Sequence, residues 1–110
     1  MRTPQYAVSI ETERMFLLSD VYQAYFEQAE AVRLGTHTEH PLIYIQPTAK
    51  TCESTYKISY QSVGGRINCR SFLRQHNYHH KRTQRYQAAW SEEVDSLIVD
   101  LSVPVSEYQR

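Results

Sequence analysis

The part of this sequence best suited to chemistry is a long basic stretch in its second half. From Ser54 to Ser91 there are seven basic residues and three histidines, but no acidic residue. The basic residues are Lys57, Arg66, Arg70, Arg74, Lys81, Arg82 and Arg85. Clustered cationic side chains can neutralise the phosphates of a nucleic acid. These seven are therefore the candidate nucleic-acid-binding residues.

Three of these arginines recur at intervals of four. Arg66, Arg70 and Arg74 could form one basic ridge that begins at a turn and continues along a helix. The alternative is a solvated surface that pairs with the acidic first half of the chain. That half contains Glu11, Glu13, Asp20, Glu27, Glu30 and Glu39, against Arg14 and Arg33. The formal net charge is zero, and charge runs are usually solvated, so pairing is a strong alternative.

Metal binding and catalysis have weaker support. His76 and His80 are four residues apart, as zinc ligands on a helix can be, but no CxxC pair accompanies them. A polar helix end explains these histidines better. Cys52 and Cys69 are too few for a disulfide framework, and we expect free thiols, with Cys69 buried and inert. Without a Gly-rich phosphate loop, a nucleophile elbow or HExxH, we expect no enzyme, no cofactor and no metal.

Nine tyrosines are many for a chain of 110 residues. Tyr56, Tyr60, Tyr78 and Tyr86 interleave with the basic residues, and aromatic rings beside cations can bind single-stranded nucleic acid by stacking. Tyrosine also suits half-buried sheet positions, which is the interpretation that we favour.

The elements that must position these residues form a pattern that occurs twice. The first copy predicts strands at 6–10, 15–18, 31–34 and 42–45, with a helix from Asp20 to Ala29 after the second strand. The second copy predicts strands at 56–60, 66–68, 85–90 and 96–101, with a helix from Ser71 to Tyr78. Gly64-Gly65 predicts the turn of the hairpin before that helix.

Both helices have candidate caps and an apolar face. Ser19 is a suitable N-cap for the first helix and Asn68 for the second. The first helix has an apolar stripe, which we expect to pack in the core. Its residues are Val21, Tyr22, Tyr25, Phe26 and Ala29.

The length of the chain limits how these elements are organised. A chain of 110 residues is too short for two cores, so residues 1–110 are expected to form one domain. We predict an α+β fold, mostly strand, in which two pseudo-symmetric β-β-α-β-β modules share one barrel-like core. The copies span about 6–47 and 56–104, with a linker at about 48–55. No apolar run predicts a membrane span and the N-terminus predicts no secretory signal, so we expect a cytoplasmic location.

The order of these elements resembles the swapped-hairpin module of the AbrB and SpoVT family. Gly65-Arg66-Ile67-Asn68-Cys69-Arg70 is similar to the family's turn and helix start, and Leu42-Ile43-Tyr44-Ile45-Gln46-Pro47 is similar to its closing hairpin. The family's proline before the helix is missing from both copies, and the first copy has Glu11-Thr12-Glu13 where the family has basic residues. Arg66 and Arg70 are the matching basic positions.

The resemblance implies a small transcription factor or antitoxin. Family members usually build the barrel from two chains, so a chain with both modules is expected to be a monomeric pseudo-dimer or a homodimer. The predicted function is binding of double-stranded DNA by the basic second copy. The alternative is an interaction module of the antitoxin or adaptor kind that binds protein and no nucleic acid.

Overall fold

The computed structural model describes residues 6–49, 51, 53–61, 64–76 and 83–104. Eight strands lie in this part of the chain, four on each side of residues 49–55. They are β1 (Tyr6–Ile10), β2 (Arg14–Leu18), β3 (Ala31–Thr36), β4 (Leu42–Thr48), β5 (Tyr56–Gln61), β6 (Gly64–Asn68), β7 (Gln84–Ser91) and β8 (Ser96–Pro104). The predicted strand segments all overlap these strands.

The helical segments are short and follow β2 and β6. Helix α1 (Ser19–Val21) continues directly as a π-helical segment (Tyr22–Phe26), and α2 spans Arg70–Gln75. The predicted caps are wrong, because Leu18 and Cys69 hold the N-cap positions and neither makes a side-chain capping hydrogen bond. The first helix also ends before the predicted Ala29, and turn residues follow Phe26.

The strands form one closed antiparallel barrel in the cyclic order β1-β2-β6-β5-β3-β4-β8-β7. Every neighbouring pair is antiparallel, including β1 with β7, which closes the barrel. The hairpin β1-β2 lies between β7 and β6, and the hairpin β3-β4 lies between β5 and β8. Each hairpin of the first half is therefore bordered on both sides by strands of the second half.

This arrangement corrects the predicted fold class. An α+β fold with two pseudo-symmetric β-β-α-β-β modules is wrong, because the chain forms a single all-antiparallel barrel and its helical segments have only three, five and six residues. The two hairpins of one half share no hydrogen-bonded strand pair with each other in the described sheet. Neither half can complete its sheet without the other.

The interior of the barrel is apolar. One side chain in two along each strand points inward, and the inward positions include Val8, Leu17, Ile45, Ile67 and Leu97, all without solvent exposure. Phe26 from the π-helical segment and Leu73 from α2 complete this core. The predicted apolar stripe is confirmed, since Val21, Tyr22 and Phe26 are buried while Tyr25 and Ala29 pack against the core.

Gly64 and Gly65 lie within β6, so the turn predicted at these residues is wrong. Gly64 has a φ of +148°, and a Cβ there would collide with the backbone carbonyl of Leu17 on β2. A Cβ on Gly65 would lie 2.5 Å from Cδ1 of Tyr22. The two glycines allow β2 and the π-helical segment to approach β6 closely.

Candidate nucleic-acid interface

The outer surface of β5, β6, β2, β1 and β7 carries a transverse row of directly paired residues. Ser59 pairs with Arg66, Arg66 with Phe16, Phe16 with Ser9, and Ser9 with Arg85. Residues opposite each other in antiparallel strands point to the same side of the sheet. Since the adjacent residues on these strands face the core, the whole row faces outward.

The row brings together two of the predicted nucleic-acid-binding residues, Arg66 and Arg85, which are 19 positions apart in the sequence. Arg66 and Arg85 are both half-buried, on opposite sides of Phe16 and Ser9. Arg85 Nε donates a hydrogen bond of 3.3 Å to Ser9 Oγ. Ser9 lies on the outside of the barrel but is only 5% exposed. The hydrogen bond holds the Arg85 side chain against Ser9 and so contributes to its burial.

Arg14 extends the positive charge along β2. It lies two residues from Phe16 and pairs with Asn68 of β6, so it shares the outward side of the sheet with Arg66. Its side chain is 41% exposed and forms an ion pair of 3.5 Å with Glu11. The Nε atoms of Arg14 and Arg66 are shielded from solvent and make no hydrogen bond, which leaves the outer ends of these two guanidinium groups as the groups that can meet a ligand. In Arg85 the terminal Nη1 is the shielded atom, so a ligand would have to meet the other terminal nitrogen of that side chain.

The remaining predicted residues lie at the border of this surface or outside the described residues. Lys57 is exposed on β5, two residues from Ser59 and on the same side of the sheet. Arg70 begins α2 and lies 3.8 Å from Glu13. Arg74 is exposed one helical turn further along. Lys81 and Arg82 lie outside the described residues. We call the surface around Arg14, Phe16, Arg66 and Arg85, with Lys57 at its edge, the basic face.

The predicted ridge of three arginines is split between two elements. Arg66 lies on a strand and not in a turn, whereas Arg70 and Arg74 lie on α2. The two elements meet near the β1-β2 turn, where the Cys69 amide donates to the Glu13 carbonyl at 3.1 Å. Arg70 is thereby close to the end of the basic face that Arg14 occupies.

The acidic and basic halves pair less than the alternative predicts. Among the described residues, the arginine–carboxylate ion pairs are Arg14–Glu11 and Arg70–Glu13. Glu27 and Glu30 of the first half take no part in these pairs, and neither does Asp95 in the β7-β8 turn. Both pairs are partly exposed to solvent, and exposed pairs contribute about 0 to 1 kcal/mol each, so a phosphate can compete for either arginine.

Sequence reasoning missed Arg14, Phe16 and Ser9 as members of the site. In the sequence Arg14 belongs to the acidic half, and Phe16 stands out only as a residue of a predicted strand. The signal was the alternation in Arg14-Met15-Phe16-Leu17, which places Arg14 and Phe16 opposite the buried Met15 and Leu17. The pairing of β2 with β6 then joins them to Arg66.

The interleaved tyrosines lie away from the row. Tyr56 and Tyr86 pack against the core, and the Tyr56 ring lies 6.3 Å from that of Phe72. Tyr60 is 55% exposed and packs beside Tyr22, with 5.1 Å between the ring centroids. Tyr78 lies outside the described residues. Phe16 is therefore the aromatic residue that the structure places between the arginines of the row.

The described residues form no metal-binding cluster, and the one described cysteine is buried. No group of three or more His, Cys, Asp or Glu side chains there could hold a metal ion. His76 packs against Phe72, with 4.7 Å between the ring centroids, while His79, His80 and Cys52 lie outside the described residues. Burial raises the pKa of the Cys69 thiol to about 12, although a backbone hydrogen bond at Met15 opposes the shift. Cys69 is a neutral, buried thiol.

Comparisons with protein-family models, with curated proteins and with solved structures found no match. Of the helices in the described residues, none has the length and apolar character needed to cross a bilayer.

Proposed function

We propose that this protein binds double-stranded DNA through the basic face and acts as a small, non-enzymatic regulator of transcription in the cytoplasm. The observation that carries the proposal is the convergence of Arg66, Arg85 and Arg14 on one outward surface from three different strands. Because these arginines lie on ordered strands, binding a phosphate costs the entropy of their side chains but no further entropy of the backbone.

The charge balance of this surface favours an anionic ligand. Arg66 takes part in neither of the arginine–carboxylate pairs described above, and Glu11 and Glu13 are each paired with another arginine. A zero net charge for the whole chain does not prevent local attraction, because exposed charges are screened over about 8 to 10 Å at physiological salt. The basic face therefore acts on a phosphate backbone largely independently of acidic residues elsewhere.

The proposal retains the resemblance of the sequence to the swapped-hairpin module of the AbrB and SpoVT family. In this chain each hairpin of one half pairs with strands of the other half, as the hairpins of two chains do in that family. The barrel closes within a single chain, so we expect a monomer. Unlike a face formed by two identical chains, the basic face combines different residues from the two halves.

The experiment measures binding of a labelled random DNA duplex by fluorescence anisotropy between about 50 and 200 mM salt. Wild-type protein is expected to bind with a steep salt dependence, with a slope of about −0.9 per phosphate contacted. Arg66→Gln keeps much of the side-chain stem but removes the charge, and should weaken binding and reduce the slope by about 1.

The matched control is Arg33→Gln. Arg33 is exposed on β3, paired with Gln46 of β4, and β5 separates it from Arg66 on β6. This variant removes the same charge from the same kind of element, but Arg33 borders only the Lys57 edge of the basic face, so the loss of affinity should be clearly smaller than for Arg66→Gln. Equal losses for the two variants, or no binding at about 50 mM salt, would contradict the proposal.

The second candidate function is a protein-interaction module. A shallow groove of about 300 Å³ on β7, β8 and β4 supports it, because its lining is largely apolar. The lining includes Leu42, Ala89, Trp90 and Ile98, with Asp100 at its border. If the wild-type protein fails to bind DNA, this groove becomes the better candidate for the functional surface.

A further inference from the structure

Phe16 occupies an unusual position for a phenylalanine in this barrel. It lies on the outer surface at the middle of the basic face, is half-buried, and belongs neither to the core nor to the half-buried residues packed against the core. No ring contact joins it to another aromatic residue of the described chain. The exposed part of its apolar ring can therefore meet a partner at the surface.

Arginine side chains border Phe16 on both sides across the sheet. Arg66 is its direct neighbour on β6, and on β1 its neighbour is Ser9, over which Arg85 is held by the Nε hydrogen bond. Neighbouring strands are about 4.8 Å apart, so the backbones of Arg66 and Arg85 are about 5 Å and 10 Å from that of Phe16. Long arginine side chains can span these distances.

This arrangement matches the chemistry of one unpaired nucleotide. A nucleotide in a single strand offers a flat base with a phosphate on each side, and aromatic rings bordered by cations bind such strands by stacking. In a duplex the faces of the bases are already stacked on each other, so Phe16 could make no such contact there. Phosphate contacts alone leave the position of Phe16 unexplained.

We propose that the basic face binds single-stranded or locally unpaired nucleic acid, with one base stacked on Phe16 and the flanking phosphates bound by Arg66 and Arg85. The strand then runs across β6, β2, β1 and β7, roughly perpendicular to them. This inference rests on the proposed function, because it uses the same arginines. It adds a preference for an unpaired base over duplex.

The test uses Phe16→Leu and a labelled oligothymidine of about ten nucleotides, a length typical of single-strand sites. Leucine keeps an apolar side chain on the surface but has no flat ring. Binding of oligothymidine should weaken by roughly 5- to 150-fold, the range expected for loss of one stacked base. The salt slope should not change, since no charge is removed.

Three controls separate stacking from other effects. Phe16→Trp keeps a flat ring and should retain oligothymidine binding. Tyr44→Leu changes another half-buried aromatic residue, on β4 beside β8, and should have no effect. An abasic oligonucleotide of the same length should bind the wild type and Phe16→Leu equally.

The outcomes distinguish this inference from the function on which it rests. Equal oligothymidine affinities for wild type and Phe16→Leu would overturn base stacking, while an Arg66→Gln effect on duplex would leave the proposed function standing. Wild-type binding to duplex that exceeds binding to oligothymidine would overturn the preference for an unpaired base. Failure of every probe to bind at low salt would overturn both proposals.

Discussion

Two strand glycines in this protein have opposite surroundings. Gly64 has a φ of +148° and no room for a Cβ, because the carbonyl of Leu17 occupies that space. Gly35 on β3 has no atom within 4 Å of the position that a Cβ would take. The same chemical change at these two positions therefore has different consequences.

Gly64→Ala should destabilise the protein by more than Gly35→Ala. The backbone conformation alone costs on the order of 1 to 3 kcal/mol for a residue with a side chain, and the collision with Leu17 adds to this. Gly35→Ala should be nearly neutral, because alanine restricts the unfolded chain without a clash in the folded one. Urea unfolding of the two variants measures the difference, and equal midpoints would contradict the structure at β6.

Alkaline pH should destabilise the barrel through Cys69. Burial raises the pKa of this thiol from 9.0 to about 12, so the unfolded chain loses the proton first as pH rises. Stability that is fully present below about pH 9 is then lost progressively toward pH 12. A hydrogen bond with Tyr25 raises the pKa of Tyr6, and burial raises the pKa of Tyr86. Both raised pKa values also lower the stability as the pH increases.

Urea unfolding at about pH 8, 9.5 and 11 tests this dependence. The free energy of unfolding should fall across the series, and Cys69→Ala should show a shallower fall than the wild type. An increase in stability over this range, or the same slope in both proteins, would contradict a raised thiol pKa.

At the scale of elements, the π-helical segment docks on the barrel by aromatic contacts. The Tyr25 ring stacks on Trp90 of β7, with 4.1 Å between centroids and 4° between planes. Phe26 meets the same indole edge to face at 6.2 Å, and Tyr6 meets Tyr25 in the same way at 5.9 Å. The segment is only five residues long, so packing and not helical propensity must hold it in place.

Tyr25→Leu should loosen this segment and report on it through Trp90. Loss of the stacked pair is expected to cost about 0.5 to 1.5 kcal/mol beyond the change in buried area. Trp90 is the single tryptophan of the chain, so its fluorescence should shift to the red as solvent reaches the indole. Gln23→Leu changes an exposed residue of the same segment and should leave the emission unchanged. Unaltered emission in Tyr25→Leu would exclude the stacked arrangement.

At the scale of the molecule, closure of the barrel links both halves of the chain. Leu97 of β8 is fully buried and pairs with Ile45 on β4 and with Trp90 on β7. Each strand is hydrogen-bonded to a neighbour on both sides, so no hairpin of the described sheet has a free edge. We therefore expect the described barrel to unfold as one cooperative unit.

Leu97→Ala should lower the free energy of unfolding by about 2 to 5 kcal/mol, the usual cost of such a cavity. Far-ultraviolet circular dichroism and Trp90 fluorescence should still report one coincident transition. Val94→Ala is a suitable control, because Val94 is 48% exposed in the β7-β8 turn. Two separate transitions would indicate that the halves fold independently.

The sequence by itself determined the positions of the strands and the buried faces of the helical segments. These are local properties, since alternation along Arg14-Met15-Phe16-Leu17 and the apolar stripe from Val21 to Phe26 follow from side-chain chemistry over a few residues. The sequence alone also shows that the second half is rich in basic residues. Lys57, Arg66, Arg70, Arg74 and Arg85 are all exposed or half-buried in the structure.

Only the tertiary structure decided the fold class and the membership of the basic face. Pairing of β2 with β6 and of β1 with β7 joins residues that are 46 or more positions apart, and no local pattern encodes such partners. The registers of these pairs set Arg66 and Arg85 on either side of Phe16 and add Arg14 from the acidic half. Because a shift of one residue turns every side chain to the other side of the sheet, the site depends on the registers of the closed barrel.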